Sequence, residues 1–239
     1  MYLSIVIPAY NEAKRLPNTL ADIDEYLRRR NYDYEILVVN DGSKDKTVEV
    51  ARSLLSKIKN LKVTGYEKNQ GKGYAVRFGM LEAKGDYRLF TDADNSTPIN
   101  QVEKMWSEFE KGYDIVIGSR DIKGAILDPP QPAFRRFTGE AFGFFTNLII
   151  GTWGIADTQC GFKGFTRKAV ENIFPKCKIN RFAFDPEILV IGKLLGYKIK
   201  EVPVYWKNDP ESKVKFKGMI KMGLDLFKIR WNLIKGIYG

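Results

Sequence analysis

Asp92 and Asp94 stand one residue apart, directly after the run Tyr87-Arg88-Leu89-Phe90-Thr91. The run has strand character, so the pair is expected at the carboxyl end of a buried strand, where open α/β sheets bind ligands. Two carboxylates held that close repel each other unless a cation lies between them. A divalent metal is the simplest occupant, and a metal flanked by carboxylates is a natural holder for a nucleotide diphosphate. A bare Asp-x-Asp also makes turns: Asn95-Ser96-Thr97-Pro98 follows, and Ser96 or Thr97 could cap a helix starting near Pro98. The rest of the chain has to decide between the two.

Composition narrows the chemistry. The 239 residues contain no histidine, which removes histidine-based zinc sites, serine–histidine triads and histidine general bases together. Any metal must be held by oxygen, which points to Mg²⁺ or Mn²⁺. Cys160 and Cys177 are too few for a disulfide framework, and nothing before the first strand reads as a signal peptide, so a reducing, cytoplasmic setting is expected. Half of the net charge of +10 falls between Lys207 and Gly239, where eight Lys or Arg face three Asp or Glu. Such a surface suits an anionic membrane or nucleic acid, or stays simply solvated. No recognisable nucleic-acid-binding module accompanies it, so no nucleic acid is expected as partner.

The elements that must position the carboxylates follow from periodicity. Strands are predicted at Leu3–Ile7, Glu35–Val39, Leu61–Tyr66, Asp86–Thr91 and Asp114–Gly118. Helices are predicted at Leu16–Arg30, Thr47–Ile58, Gly73–Ala83 and Gln101–Glu110. This β-α order implies an α/β fold, a mainly parallel sheet with helices on both faces. The strand ends converge on one edge: Pro8-Ala9-Tyr10-Asn11-Glu12, Asn40-Asp41-Gly42-Ser43, Asp92–Asn95 and Ser119-Arg120.

The second half is less regular. Ala125–Pro132, with three prolines, reads as a loop. Ala141–Ala156 is 16 residues without a charge, short of the roughly 20 a membrane span needs, so a buried or interfacial helix is expected. In the last 20 residues Ile220, Leu224, Phe227, Trp231, Ile234 and Tyr238 follow helical spacing, broadened by Met222, Leu226, Ile229 and Leu233. A basic helix with so wide an apolar face suits a membrane interface, with docking on the protein core or a second subunit as the other outcomes.

Lys68-Asn69-Gln70-Gly71-Lys72-Gly73 adds a segment whose glycines permit close backbone approach and whose Lys72 could meet a phosphate; by itself it is an ordinary helix-start turn. Taken with Ser4–Glu12, Val38–Asp45 and Thr91–Asp94, in this order and spacing, it resembles the motif series of family 2 glycosyltransferases of the GT-A fold, over about the first 120 residues. The resemblance implies a nucleotide-sugar donor, a metal on its diphosphate and inversion at the anomeric carbon. Further on, Asp157–Lys163 and Ser212-Lys213-Val214 resemble the polyprenyl- and dolichyl-phosphate hexose synthases, and Asp92–Thr97 the glucose type more than the mannose type.

By that resemblance Asp92 and Asp94 would serve the metal, and Pro8, Ala9, Tyr10, Glu12, Asp41, Lys72, Asp92 and Ala93 would bind the nucleotide-sugar. Arg120, Arg135, Lys163 and Lys213 would lie near an acceptor phosphate, and Asp94, Asp157 and Arg120 are the candidate catalytic residues. Asp157 reads as a base or, better, as a structural or acceptor-side carboxylate; Asp185 and Glu187 read as support for a helix starting near Pro186. The implied reaction is transfer of a hexose, glucose from UDP-glucose, to a polyprenyl or dolichyl phosphate. A GDP-mannose-dependent mannose synthase and a transferase acting on a hydroxyl are the alternatives. The physics favours a phosphate acceptor: a hydroxyl must lose a proton to a placed base, whereas a phosphate is already anionic and needs only cations. The chain departs from many relatives in having an amphipathic tail (212–239) after a catalytic domain (1–211) where they carry transmembrane helices. That tail would place the enzyme peripherally on the cytoplasmic face of a membrane. Ser96 also replaces a Gln of some mannose synthases.

Overall fold

A computed structural model describes residues 2–130, 133–207 and 216–239. The predicted β-α order is present. It runs β1 (Tyr2–Ala9), α1 (Leu16–Arg28), β2 (Asp33–Asp41), α2 (Thr47–Ser53), β3 (Leu61–Tyr66), α3 (Lys72–Glu82), β4 (Tyr87–Thr91), α4 (Glu103–Glu110) and β5 (Ile115–Ser119). Helix α1 forms because Leu16, Leu20, Ile23 and Leu27 recur at helical spacing and all go into the core. Helix α2 stops at Ser53, five residues short of the predicted end, and the chain continues in turns.

Beyond β5 the chain adds β6 (Ile126–Asp128), α5 (Ala133–Ile150), β7 (Phe162–Thr166), α6 (Arg167–Ile173), α7 (Phe184–Leu194), β8 (Ile199–Pro203), β9 (Tyr205–Lys207) and α8 (Phe216–Ile234). Periodicity does not give these strands or helix α6, whereas α5, α7 and α8 lie in the regions where helices are expected. The segment expected as a proline loop thus contains strand β6. The main sheet has the order β3-β2-β1-β4-β7-β5-β8, parallel except for β7, which runs antiparallel to both neighbours. Strands β6 and β9 form a separate parallel pair. One core lies on each face: Val6, Val39, Phe90 and Phe165 with α3, α6, α7 and α8 on one, Ile5, Ile7, Val38 and Phe162 with α1 and α4 on the other.

Helix α8 divides its apolar residues between two destinations. Met222, Leu226 and Ile229 are buried and Leu233 packs against the core, whereas Ile220, Leu224, Phe227, Trp231 and Ile234 are exposed. Past the helix Tyr238 is fully buried, where its hydroxyl donates to Glu187 Oε1 at 2.6 Å and accepts from Asn232 Nδ2 at 3.0 Å. Glu187 also accepts from the backbone N–H groups of Lys178 and Ile179. The tail is therefore latched to α7. Tyr238→Phe should destabilise the protein by about 1–3 kcal/mol, the cost of leaving buried polar partners unsatisfied. Urea unfolding of the two proteins measures it, and an unchanged midpoint would mean that the latch contributes nothing.

Candidate active site

The carboxyl ends of β1, β2, β4 and β5 wall a single cleft of about 1240 Å³, closed on its far side by α5, β6, β9 and the start of α7. This exceeds the usual 300–1,000 Å³ of a small-molecule site and leaves room for two substrates. Pro8, Ala9, Tyr10, Glu12, Asp41, Lys72, Asp92, Ala93, Asp94, Arg120 and Asp157 all line it, so most of the sequence-derived set converges here.

Asp41 ends β2 with its carboxylate turned into the loop that follows β3. It accepts from Asn69 Nδ2 (2.8 Å), Gln70 N (2.7 Å) and Gly71 N (3.0 Å). An acceptor placed against these N–H groups fixes the turn that starts α3. Gly71 has φ +106°, and a Cβ there would lie 2.4 Å from the Asn180 carbonyl oxygen, so the turn closes only on glycine. Lys72 follows as the first residue of α3. Its Nζ stands 2.6 Å from Asp92 Oδ1. Burial works against the lysine's charge, but Asp92, Asp185 and Asp94 outweigh it and raise its pKa.

Asp92 and Asp94 emerge from β4 as expected. Asp94 is pushed up, first by burial and then by the charge of Asp92, although its Oδ1 accepts from Ser96 N at 3.0 Å. Such a pair is short of positive charge. Among the described residues no group of three or more His, Cys, Asp or Glu is placed to hold a metal, so the pair supplies two oxygen donors and a diphosphate with water must complete a metal's shell. That is the usual arrangement for Mg²⁺ held with a nucleotide. The donors fit a hard divalent cation.

The antiparallel strand explains why Asp92 can sit where it does. Thr91 registers with Phe162, which brings Gly161 beside Asp92. A Cβ on Gly161 would lie 2.1 Å from Asp92 Oδ2.

Arg120, just past β5, donates from its backbone N, Nε and Nη2 to the Asp157 carboxylate at 3.0, 2.7 and 2.9 Å. Burial alone would push Asp157 up, but Arg120's charge and hydrogen bonds prevail and hold it at about 2. The loop carrying Asp157 is itself tied to β8, since Ala156 N and Asp157 N donate to Glu201. A carboxyl so acidic is a poor proton acceptor, and its work is to hold Arg120.

Lys163 requires a correction. Expected at the acceptor phosphate, it is 0% exposed and absent from the cleft wall. Flanked in the sheet by Phe90 and Ile117, it donates to Asp185 Oδ1 and to the Cys160 carbonyl, both at 2.5 Å. Any phosphate contact is thereby denied to it. Asp185, read from the sequence as helix support, instead lines the cleft with its carboxylate tied to that lysine. No local signal marked it; only the packing of α7 beneath β4 and β7 brings it there. Trp206, on β9, also reaches the cleft, with the Arg120 guanidinium 5.4 Å from its ring. Lys213 and the side chain of Arg135 lie outside the described residues.

A mostly parallel sheet whose strand ends hold paired carboxylates beside a tight glycine turn defines the GT-A class of nucleotide-sugar enzymes. The fold is similar to mannosyl-3-phosphoglycerate synthase from Rubrobacter xylanophilus, with TM-score 0.73 and 19% identity over 99% of this chain and 75% of that one. It is also similar to glucosyl-3-phosphoglycerate synthase from Mycobacterium tuberculosis, solved with Mn²⁺, UDP and glucosyl-3-phosphoglycerate, with TM-score 0.66 and 18% identity over 95% and 77%. The chain belongs to glycosyl transferase family 2, whose model matches residues 4–174. Among its relatives are dolichyl-phosphate beta-glucosyltransferases. That of Trichomonas vaginalis is 42% identical over 96% of this chain and 73% of its own. Those of Homo sapiens and Saccharomyces cerevisiae are 37% and 33% identical, over 99% and 100% of this chain and 77% of each relative.

Two predictions follow from the packing. Gly161→Ala should leave the fold intact, because the clash falls on a side-chain terminus, while displacing Asp92. Mn²⁺-dependent UDP binding, read by calorimetry, should weaken at least tenfold (about 1.4 kcal/mol) with little change in unfolding midpoint. Equal affinity would dismiss the steric argument. The second concerns acid. The depressed pKa of Asp157 contributes stability present above its unfolded value near 4 and lost as pH falls toward 2. Asp157→Asn should therefore flatten this limb of the stability profile below pH about 4, as followed by urea midpoints across pH.

Proposed function

We propose that this protein transfers glucose from UDP-glucose to dolichyl or polyprenyl phosphate, with inversion, at the membrane surface. One observation carries the acceptor assignment: Asp157, on the acceptor side of the cleft, is committed to holding Arg120. Asp185 is likewise tied to Lys163. With both carboxylates engaged by cations, the cleft favours an acceptor that arrives already anionic over a hydroxyl awaiting a base. The relatives' names support glucose and dolichyl phosphate for those proteins, and the shared architecture makes the same pairing the leading reading here.

In this reading Asp92 and Asp94 hold Mg²⁺ or Mn²⁺, which supplies charge neutralisation at the leaving diphosphate. The β1 end around Pro8, Ala9, Tyr10 and Glu12 and the Asp41-ordered turn form the nucleoside side, with Ala93 between the metal carboxylates. Lys72 moves from Asp92 toward the phosphates and adds a second positive charge there. Arg120 draws the acceptor phosphate into line with the anomeric carbon, so that its oxygen attacks from the face opposite the departing UDP. Arg135 and Lys213 are assigned to the same phosphate on the family pattern alone.

Membrane contact belongs to the same proposal. No helix among the described residues is long and apolar enough to cross a membrane. Yet Leu224, Phe227, Trp231 and Ile234 on α8 and Phe144, Phe145 and Leu148 on α5 are all more than half exposed, and these two helices pack together. Lys221, Lys228 and Arg230 are exposed on the same helix, and Lys235 is exposed just past its end. Exposed bulky apolar groups beside cations match an anionic lipid surface. With both thiols buried and free, a placement on the cytoplasmic face stays part of this reading.

The assay is transfer of labelled glucose from UDP-glucose into the organic phase with dolichyl phosphate and Mn²⁺, with GDP-mannose as the competing donor. Asp94→Asn should lower turnover by at least a hundredfold, about 2.7 kcal/mol of transition-state stabilisation. Transfer from GDP-mannose alone would overturn the sugar assignment. Activity on a free sugar with none on dolichyl phosphate would overturn the acceptor. Because α8's inner face is core, the membrane reading is best tested by Phe227→Glu with Trp231→Glu. Flotation with anionic liposomes should be lost while UDP binding persists; undiminished flotation would remove that part of the proposal.

A further inference from the structure

The cleft extends past the nucleotide and metal side proposed above. This arm starts at Arg120 and runs between Ile122, Ala125, Leu127 and Trp206 toward Phe142 of α5 and Met222 of α8. Leu127 and Trp206 are register partners in the parallel β6–β9 pair, so their side chains leave the ribbon on one face, toward the cavity. The ribbon is held firmly. Lys207 N donates to Ser96 O at 2.7 Å, Tyr205 N to Gln101 Oε1 at 3.1 Å, and Tyr205 hydroxyl to Asp128 Oδ2 at 2.8 Å. Through Ser96 this fixes the position of Trp206 relative to the loop carrying Asp92 and Asp94.

The wall chemistry changes sharply along the cleft. Its β1, β2 and β4 side presents carboxylates and Lys72, whereas past Arg120 the apolar side chains of Ile122, Ala125, Leu127, Trp206 and Phe142 join the wall beside Asp121 and Lys123. The arm ends against α5 and α8, whose outer faces are the exposed apolar surface described above. A charged group gripped by Arg120 and an apolar chain leading away from it is the shape of a lipid monophosphate.

We infer that Trp206, with Leu127, is the specificity element for the acceptor: its indole packs on the isoprene unit next to the phosphate and directs the chain along the arm toward the seam of α5 and α8. This rests on the proposed phosphate acceptor and names what reads its lipid part. An indole is well suited, since it offers a large rigid apolar face for little entropy lost. Its cation–π contact with Arg120 sets the spacing between phosphate grip and chain grip.

The test uses the whole chain with Mn²⁺, UDP-glucose and prenyl monophosphates of one, two and four isoprene units, in the wild type, Trp206→Ala and Trp206→Phe. In the wild type, acceptor KM should fall as the chain lengthens from one unit. Trp206→Ala should raise KM for the longer acceptors about tenfold and abolish that gain, with KM for UDP-glucose within about twofold; Trp206→Phe should recover most of it. Two results would overturn the inference while leaving the phosphate acceptor standing. One is a Trp206→Ala KM unchanged for the longer acceptors. The other is a KM raised equally for every chain length, which would mean that the indole only supports Arg120. Wild-type protein that binds UDP-glucose yet transfers to no prenyl phosphate would instead bring down the proposed acceptor, and this inference with it.

Discussion

Charge crowding at the end of β4 is the constraint on which the rest of the site depends. Asp94 and Asp185 lie in a desolvated region beside Asp92, and burial, with the charge of Asp92 added, pushes both of their pKa values up. The fold answers with two lysines of different kinds. Lys163 is sealed within the sheet and forms a buried ion pair with Asp185. Lys72 sits at a helix start, on the cleft wall, and engages Asp92 from there. One cation is structural and the other stands where ligands come and go. A pair whose charge is met from the solvent side can exchange that partner for a metal and a diphosphate. A pair met from inside the sheet cannot.

The reversed strand makes this possible. Had the sheet continued parallel after β4, no chain segment would run past Asp92 in the direction that places Gly161 opposite it and Lys163 two residues further in. The antiparallel register delivers both, together with the following core residue Phe165 on the lysine's face. The same connection leaves Asp157 at the head of the turn entering β7, where it meets the end of β5 and captures Arg120. The surroundings of Asp92 and of Arg120 are thus both built by one hairpin-like excursion across the sheet.

Much of this was legible in the residues, for identifiable reasons. The first half follows strict strand and helix periods, and its functional groups sit at strand ends, where sequence order maps directly onto space. Asp92, Asp94, Asp41 and Arg120 are legible in that way, and Lys72 from the glycine segment that opens α3. The second half breaks those rules. Strand β7 carries a buried lysine and a glycine in five residues, so its alternation is masked. The family resemblance places Lys163 at an acceptor phosphate, and nothing in the sequence marks this lysine as buried. Its true partner, Asp185, lies 22 positions away and meets it only after α7 docks. Trp206 lies on a three-residue strand whose meaning depends on pairing with Leu127.

The tail shows the same limit from the opposite direction. Its period announced a helix with a wide apolar face, but width alone does not say how the face is divided. The division follows from the latch: with Tyr238 buried against Glu187, α8 is rotated so that Met222, Leu226 and Ile229 meet the core. The residues between them along the helix are left facing out, and α5 presents Phe144, Phe145 and Leu148 beside them. A helix that only docked would expose polar groups there, and one that only touched lipid would not bury a tyrosine against a carboxylate. In the proposed reading α8 serves both, and it fixes the height of the cleft above the surface its outer face meets. On the same proposal that height decides whether Arg120 can reach an anchored phosphate, which would couple membrane contact to chemistry through one rotation of one helix.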